Sequence, residues 1–182
     1  MATPRTRRRG GQAVKVVVTG PFAAGKTTLI RTISEITVLS TERGITDSTR
    51  KRKAETTVAM DFGRIALPGD LWLYLFGTPG QDRFHFMWDD LVTGAIGAVV
   101  LVDTERLESC FDAVDYFEAR QIPFVLAVNC FDGVAKHSIE DVRSALAVRD
   151  ETPVFYTDAR NRQATKQALI TLVTLAMSRM QS

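Results

Sequence analysis

The segment that most constrains the fold of this chain is GPFAAGKT at residues 20–27, which places two glycines, a lysine and a threonine in the spacing GxxxxGK[ST]. It follows a β-branched run at residues 14–19 that predicts a buried strand, and it leads into a predicted helix over about residues 27–36. Gly20 lets the chain turn off the strand, and Gly25 lets backbone amides approach an anion closely. The segment therefore predicts a loop that binds phosphate groups where a helix begins.

Side chains and amides of the same loop indicate what it binds. Lys26 supplies a positive charge for β- and γ-phosphates, and the Thr27 hydroxyl is a ligand that Mg²⁺ accepts. The backbone amides of Ala23, Ala24 and Thr28 complete the expected cradle. The alternative is a turn that is rich in glycine for other reasons. The strand before the loop and the helix after it favour the phosphate loop.

The rest of the chain alternates between strand-like and helix-like segments. Strands are predicted at residues 14–19, 57–67, 71–76, 96–102, 124–128 and 154–156, and helices at residues 27–36, 107–119, 138–146 and 161–180. Pro68, Gly69 and Asp70 separate the second and third strands, which indicates a hairpin. Such alternation is typical of an α/β fold with a largely parallel sheet and helices on both faces. The polar residues 37–55 predict a long, mobile, functional loop.

Length and composition predict one soluble domain. A chain of 182 residues with 45% hydrophobic and 24% charged residues predicts a single globular domain, residues 14–182, after a flexible basic tail at residues 1–13. No apolar run approaches the ~20 residues that span a bilayer. The two cysteines, Cys110 and Cys130, favour a reducing cytoplasm over a disulfide scaffold. We therefore expect a cytoplasmic protein without a signal peptide, a membrane span or a lipid anchor.

Positive charge is concentrated toward the amino terminus. Residues 1–53 carry 12 basic and 3 acidic side chains, whereas residues 54–182 carry 11 basic and 18 acidic ones. The basic runs at residues 5–9 and 50–53 suit nucleic acid, an anionic membrane or an acidic partner, although a solvated tail and loop is the simpler interpretation. Because the tail lacks aromatic residues and apolar spacing, we expect no DNA or RNA partner and at most peripheral membrane contact.

Four further segments follow or open predicted strands. They are Thr57 in TTVAMDF, residues 77–81 (GTPGQ), residues 129–132 (NCFD) and residues 157–160 (TDAR). Each alone is weak evidence, because an Asn or Asp in a loop is more often a turn former than a ligand. Their shared position is informative, since ligands of open α/β sheets bind beyond the carboxyl ends of the strands.

Together with the phosphate loop, these segments resemble the small Ras-like GTPases of the P-loop NTPase superfamily over about residues 14–180. TTVAMDF is similar to the first-switch segment TIGVDF, GTPGQDRF to the second-switch segment DTAGQERF, NCFD to the base-recognition element NKxD, and TDAR to the SAK-type loop. The resemblance implies a six-stranded mixed sheet with five helices and one antiparallel edge pair. The chain is most similar to bacterial members of signalling modules, of the conservon and gliding-protein types, which work with a roadblock-type partner and a sensor-kinase-like protein.

The resemblance also implies how the base is recognised. Asn129 ties the base loop to the phosphate loop, and the amide of Ala159, with Arg160 beside it, meets guanine O6. The Asp132 carboxylate accepts the N1–H and N2–H donors of guanine together. Adenine has an acceptor at N1 and no N2 amine, so it would leave this carboxylate unpaired. The ligands implied are GTP and GDP.

On the phosphate side the resemblance implies a switch. Thr57 joins Thr27 in the Mg²⁺ shell when a γ-phosphate is present, and Gly80 then donates its amide to that phosphate. Gln81 orients the attacking water, and Lys26 stabilises the charge that develops. The implied catalytic residues are therefore Gln81, Lys26 and Thr57, and they act by positioning and electrostatics.

One departure from the family pattern concerns the metal. Gly77 stands where the family has an aspartate that holds Mg²⁺ through water, so one carboxylate is missing and we expect weaker Mg²⁺ binding. Asp103, at the end of the strand at residues 96–102, is a candidate replacement, although helix capping or solvation is the simpler role for it.

Three other departures concern rate and affinity. Cys130 replaces a lysine that lies along the guanine ring, which predicts a lower base affinity, and its thiol is expected to be packed and inert. Phe22 would crowd an incoming arginine and the Gln81 amide, which predicts slow hydrolysis. Pro79 stiffens the second switch by fixing its φ.

Aromatic residues gather around the second switch, and two interpretations stay open for them. They are Trp72, Tyr74, Phe84, Phe86 and Trp88. Core packing is the simpler interpretation, whereas exposed members would offer a surface for a partner.

Three classes of function remain. The first is a switch that hydrolyses GTP, slowly and under the control of a partner, in bacterial signal transduction. The second is a nucleotide-binding regulatory or scaffold protein with little or no turnover. The third is a P-loop kinase or ATPase, against which the base element at residues 129–132 argues.

Overall fold

The computed structural model describes residues 11–40, 60–80 and 87–181. The strands are β1 Gln12–Thr19, β2 Leu39–Ser40, β3 Asp61–Leu67, β4 Leu71–Gly77, β5 Ala95–Val102, β6 Phe124–Asn129 and β7 Val154–Thr157. The helices are α1 Lys26–Ile33, α2 Trp88–Val92, α3 Phe111–Ala119, α4 Ile139–Ala145 and α5 Arg162–Met180, with short 3₁₀ turns at Leu107–Cys110 and Phe131–Gly133.

One sheet with the order β2-β3-β4-β1-β5-β6-β7 runs through the described part of the chain. Strands β4, β1, β5, β6 and β7 pair in parallel, and β3 pairs antiparallel with β4 through the predicted hairpin turn. The predicted six-stranded, mostly parallel sheet with one antiparallel pair is therefore confirmed. The two-residue strand β2 extends it at the edge by pairing antiparallel with β3.

Helices cover both faces of the sheet, as predicted, because the central strands are apolar on both sides. In β1, Val16 and Val18 pack into one core cluster with α1 and α5, whereas Val17 points into the other, with α2, α3 and α4. In β6 the same alternation divides Val125 from Leu126. All five of these side chains are fully buried. This double layer holds the carboxyl ends of β1, β5 and β6 at one edge.

Helix ends follow local chemistry. The predicted cap at Ser138 is confirmed, because its hydroxyl accepts the Asp141 amide proton at 3.1 Å. At the start of α5 the Asn161 side chain accepts the Ala164 amide proton at 3.0 Å. Helix α1 ends at Ile33, three residues before the predicted end, where Ser34 turns to an extended conformation.

The sequence patterns missed two short elements. Helix α2 has five residues and β2 has two, which is too short for a hydrophobic period to show. Residues 1–10 of the basic tail, most of the predicted loop at residues 37–55, and the switch residues Thr57 and Gln81 lie outside the described residues. Strand β1 begins at Gln12, two residues before the predicted strand and within the segment predicted as tail. None of the helices in residues 11–40, 60–80 and 87–181 combines the length and the apolarity needed to cross a bilayer.

Candidate functional site

The phosphate loop lines a cavity of about 370 Å³ at the carboxyl end of β1. The loop forms because Gly20 takes φ +141° as it leaves the strand and Gly25 takes φ +104° before α1 begins at Lys26. A Cβ on Gly20 would lie 2.5 Å from the Leu101 carbonyl oxygen, so a side chain has no room there. Besides the loop residues Phe22, Ala23 and 25–28, the lining comprises Arg31, Asp61, Thr78 and Gly80.

Lys26 provides a positive charge in the cavity, whose lining also includes Arg31. Its ammonium donates to the carbonyl oxygens of Gly20 at 2.8 Å and Pro21 at 2.7 Å, which hold it across the loop. Burial lowers the pKa of Lys26 to about 8, against the opposing effect of the nearby Asp61 carboxylate. A phosphate would restore the solvation that burial removes, so the cavity favours an anion.

Asp61 is a site residue that the sequence motifs did not identify. It begins β3, and its register partner across the hairpin is Gly77, at the end of β4. The Thr27 hydroxyl donates a hydrogen bond to Asp61 Oδ2. A carboxylate therefore does face the Thr27 hydroxyl, the expected metal ligand of the phosphate loop, and it comes from the strand beside Gly77.

Gly80 closes the other side of the cavity. A Cβ on it would lie 2.5 Å from Lys26 Nζ, 2.8 Å from Phe22 Cα and 2.9 Å from Phe22 N. The start of the second switch is anchored to β1, because the buried Thr78 hydroxyl donates to the Thr19 hydroxyl at 2.7 Å. Only glycine allows this close approach to the phosphate loop.

Asn129 joins the expected base loop after β6 to the phosphate loop and to the loop after β7. Its amide nitrogen donates to the Ala24 carbonyl oxygen at 2.9 Å, and its Oδ1 accepts the Ala159 amide proton at 3.1 Å. The side chain is almost fully buried, so both bonds are made away from water. The expected tie between the two loops is thus present. The Ala159 amide, expected at guanine O6, is already engaged by Asn129, and its role toward the base stays a prediction.

Asp132 lies on the surface beside two other charged residues. Its side chain is 90% exposed, and its backbone takes φ +60°, a left-handed conformation that departs from helical geometry within the short turn after β6. Arg160 Nη1 lies 3.6 Å from Asp132 Oδ1 and donates more closely, through Nε, to Asp158 Oδ1 at 3.0 Å. The hydrogen bonds from Arg160 hold the pKa of Asp158 below its usual value. Asp132 is therefore accessible to a ligand.

Two further residues brace the phosphate loop. Arg106 donates to the Phe22 carbonyl oxygen at 2.7 Å and to Asp103 Oδ2 at 2.8 Å. The other Asp103 oxygen accepts the Glu105 amide proton at 3.0 Å, so this buried carboxylate caps the turn after β5. Asp103 thus has the capping role rather than the metal-facing one. No sequence motif pointed to Arg106.

The two cysteines have different surroundings. Cys110 is fully buried, and burial raises the pKa of its thiol to about 11. Cys130, in the loop after β6, is half-buried rather than fully packed as expected, although burial raises the pKa of its thiol as well. The Cys130 amide donates to the Thr157 carbonyl oxygen at 2.8 Å, which pairs the two loops.

We expect a thiol reagent at pH 8 to modify only Cys130 in the folded chain. A bound nucleotide should slow that reaction at least ~5-fold, because the loop at Cys130 would then be covered. Counting thiols with Ellman's reagent, with a Cys130→Ser variant as the control, checks this. Two fast-reacting thiols, or no protection by nucleotide, would contradict the placement of the base loop.

The aromatic group at the second switch is in part core. Trp88 is buried, and its ring meets Tyr116 edge-on with centroids 5.2 Å apart. Core packing therefore holds for Trp88. Phe84 and Phe86 lie outside the described residues.

This chain has a phosphate loop between β1 and α1, in a mostly parallel sheet with helices on both faces. These features place it in the class of P-loop nucleotide-binding proteins with a G-domain fold. Residues 18–179 match the family model described as conserved hypothetical ATP binding protein, and the chain belongs to that family.

Two relatives are similar to this chain over much of its length. An uncharacterised protein of Methanocaldococcus jannaschii is 31% identical over 121 residues, which cover 65% of this chain and 71% of that protein. The Ras-related protein Rab-7b of Homo sapiens is 26% identical over 182 residues, which cover 93% of this chain and 85% of Rab-7b.

Two solved structures from T. maritima share the fold. The G domain of the FeoB iron transporter superposes with a TM-score of 0.63 at 19% identity, covering 91% of this chain and 99% of that domain. The apo cytosolic domain of FeoB gives a TM-score of 0.64 at 17% identity, covering 91% of this chain. The chain spans 64% of the length of that cytosolic domain.

Proposed function

We propose that this chain is a cytoplasmic guanine-nucleotide switch that hydrolyses GTP to GDP and phosphate, slowly and under the control of a partner, in bacterial signal transduction. The observation that carries the proposal is the pair of hydrogen bonds by which Asn129 links Ala24 in the phosphate loop to Ala159 in the loop after β7. A ligand with phosphates and a base would contact both loops, and one buried side chain fixes their separation.

The choice of base rests on Asp132. An exposed carboxylate beside Asn129 suits the two N–H donors of guanine, whereas the N1 acceptor of adenine would face it unfavourably. The family description names ATP. The alternative proposal is therefore an ATP-binding protein, and competition between the two nucleotides separates the two proposals.

We expect an Asp132→Asn substitution to lower GTP affinity about 50-fold and to leave ATP affinity within ~3-fold, because the amide cannot accept both guanine donors. Competition of GTP and ATP against a fluorescent GDP analogue, with Mg²⁺ present, measures both affinities. Asp150→Asn is the control, since Asp150 is an exposed residue before β7. Tighter binding of ATP than of GTP by the parent chain would reverse the assignment.

A Mg²⁺ ion fits the oxygen donors at the start of α1. The Thr27 hydroxyl and the Asp61 carboxylate meet in the cavity, and hydroxyl and carboxylate oxygens are the ligands that Mg²⁺ accepts in proteins. We assign Thr27 and Thr57 as the residues that would hold the ion. Mg²⁺ would neutralise charge on the β- and γ-phosphates.

In the proposed function, hydrolysis depends on how the phosphates and the attacking water are positioned. Lys26 offers its buried ammonium to the phosphates, Gln81 orients the water, and Thr57 closes the first switch over the γ-phosphate. Phe22 limits the rate in this proposal, because this large residue is 63% exposed in the lining of the cavity and would crowd an arginine that a partner inserts.

The second candidate is a nucleotide-binding regulator with little or no turnover, which Gly77 and Phe22 favour. A steady-state GTPase assay with and without a partner separates it from the switch. The partners proposed are a roadblock-type regulatory protein and a sensor-kinase-like protein, with membrane contact at most peripheral. This part rests on the sequence resemblance alone.

A further inference from the structure

We infer that Asp61 supplies the carboxylate of a divalent-cation site on the phosphate loop, in place of the aspartate that Gly77 lacks. The inference rests on the proposed function, since the cation would bind together with nucleotide phosphates. It changes the expectation drawn from Gly77: the carboxylate is not lost but is provided by the neighbouring strand.

The strand register places Asp61 opposite Gly77, the position that lacks the family's carboxylate. Asp61 and Gly77 are partners in the antiparallel pair of β3 and β4. A Cβ built on Gly77 would lie 3.2 Å from Asp61 Cβ and 3.5 Å from Asp61 Oδ2. A side chain on residue 77 would therefore enter the space that the Asp61 carboxylate takes. The two positions offer one site, which only one carboxylate can fill comfortably.

The hydrogen bond from Thr27 gives Asp61 a defined role. The Thr27 hydroxyl proton is directed at Asp61 Oδ2, which leaves the oxygen lone pairs of Thr27 for a cation. Asp61 also lines the phosphate cavity and lies close enough to Lys26 to oppose the fall of its pKa. The carboxylate thus faces the hydroxyl, the ammonium and the space for phosphate together.

Asp103 does not compete for this role. Arg106 pairs with one of its oxygens at 2.8 Å, and the Glu105 amide donates to the other at 3.0 Å. Within the described residues, Asp61 is also the one acidic side chain that lines the phosphate cavity.

The test compares Asp61→Asn with the parent chain by the release of a fluorescent GDP analogue across a Mg²⁺ titration. We expect half-maximal slowing of release to require at least ~10-fold more Mg²⁺ in Asp61→Asn, as when a group that orients a metal ligand is removed. In EDTA, release should be unchanged or slower, because the variant removes a negative charge from the phosphate cavity. General damage to the site would instead accelerate release in EDTA.

Asp70→Asn is the matched control. Asp70 lies at the hairpin turn, the opposite end of β3 from Asp61, and takes φ +58°, which asparagine also tolerates. Its Mg²⁺ titration should match that of the parent. An Asp61→Asn titration that also matches the parent would overturn the inference alone. A parent chain that binds no GDP analogue with Mg²⁺ present would overturn the proposed function and the inference with it.

A relocation variant keeps the test decisive if Asp61→Asn folds poorly. In the double variant Asp61→Gly with Gly77→Asp, the carboxylate moves to the other strand, and loss of the Asp61 Cβ clears the contact at 3.2 Å. The remaining contact, at 3.0 Å, is with the flexible tip of Ile30. We expect this double variant to bind Mg²⁺ within ~3-fold of the parent, and Asp61→Gly alone to need at least ~10-fold more. Equal Mg²⁺ requirements in the single and double variants would contradict the inference.

Discussion

An Asn129→Ala substitution is expected to lower nucleotide affinity about 1,000-fold and the free energy of unfolding by about 2–3 kcal/mol. The side chain is buried and makes two hydrogen bonds, to the Ala24 carbonyl oxygen and from the Ala159 amide. Truncation would leave both backbone groups without these partners, away from water. The larger effect falls on binding, because the two loops would lose the fixed separation that a nucleotide needs.

Nucleotide affinity by fluorescence titration and stability by urea unfolding separate the two effects. Ser138→Ala is the control, since it removes one exposed hydrogen bond, the cap of α4, and should cost about 1 kcal/mol without changing nucleotide affinity. An Asn129→Ala chain that binds nucleotide within ~10-fold of the parent would show that the bridge is not needed for the site.

The sheet and its flanking helices could be predicted from the sequence because the pattern of apolar residues determines them. Runs such as β5 and β6 are apolar at every position, which is typical of strands covered on both faces. The caps at Ser138 and Asn161 act within one turn, so local sequence is sufficient to identify Ser138. Strand β2 and helix α2 are too short to show a period.

Asp61 is a site residue that matching sequence motifs does not identify, although the register of the β3–β4 hairpin does. A search for the family's aspartate ends at Gly77, whereas the structure supplies a carboxylate from the residue opposite it. The predicted turn at residues 68–70 already implied that pairing, since antiparallel partners about one turn lie at equal distances from it. The sequence therefore contained the information that Asp61 faces Gly77, but finding it required pairing the residues of the two hairpin strands rather than matching a motif.

Arg106 could not have been predicted in this way. Its contact with the Phe22 carbonyl oxygen joins residues that are 84 positions apart in the chain. The ion pair with Asp103 is local, at a spacing of three residues, but it does not indicate which backbone oxygen the guanidinium also reaches. That contact depends on how the turn after β5 lies beside the phosphate loop, which is set by packing.

A Gly80→Ala substitution is expected to lower affinity for a GTP analogue at least ~200-fold and to leave GDP affinity within ~5-fold. The added Cβ would lie 2.8 Å from Phe22 Cα and 2.9 Å from Phe22 N, which are backbone atoms that cannot move aside cheaply. It would also lie 2.5 Å from the Lys26 ammonium, which is held by two carbonyl oxygens. The start of the second switch must therefore retreat from the phosphate loop.

This displacement should weaken the binding of GTP but not of GDP, because in the proposed switch only a γ-phosphate needs the Gly80 amide. Dissociation constants for GDP and for a slowly hydrolysed GTP analogue, measured on the same preparation, report the ratio directly. Gly69→Ala, in the hairpin turn, is the control: its Cβ would meet nothing within 4 Å, although φ +84° makes it cost about 1 kcal/mol of stability. Its ratio should equal that of the parent. If Gly80→Ala keeps the parent's ratio, the second switch does not sense the γ-phosphate, and the regulator with little turnover becomes the better description of this chain.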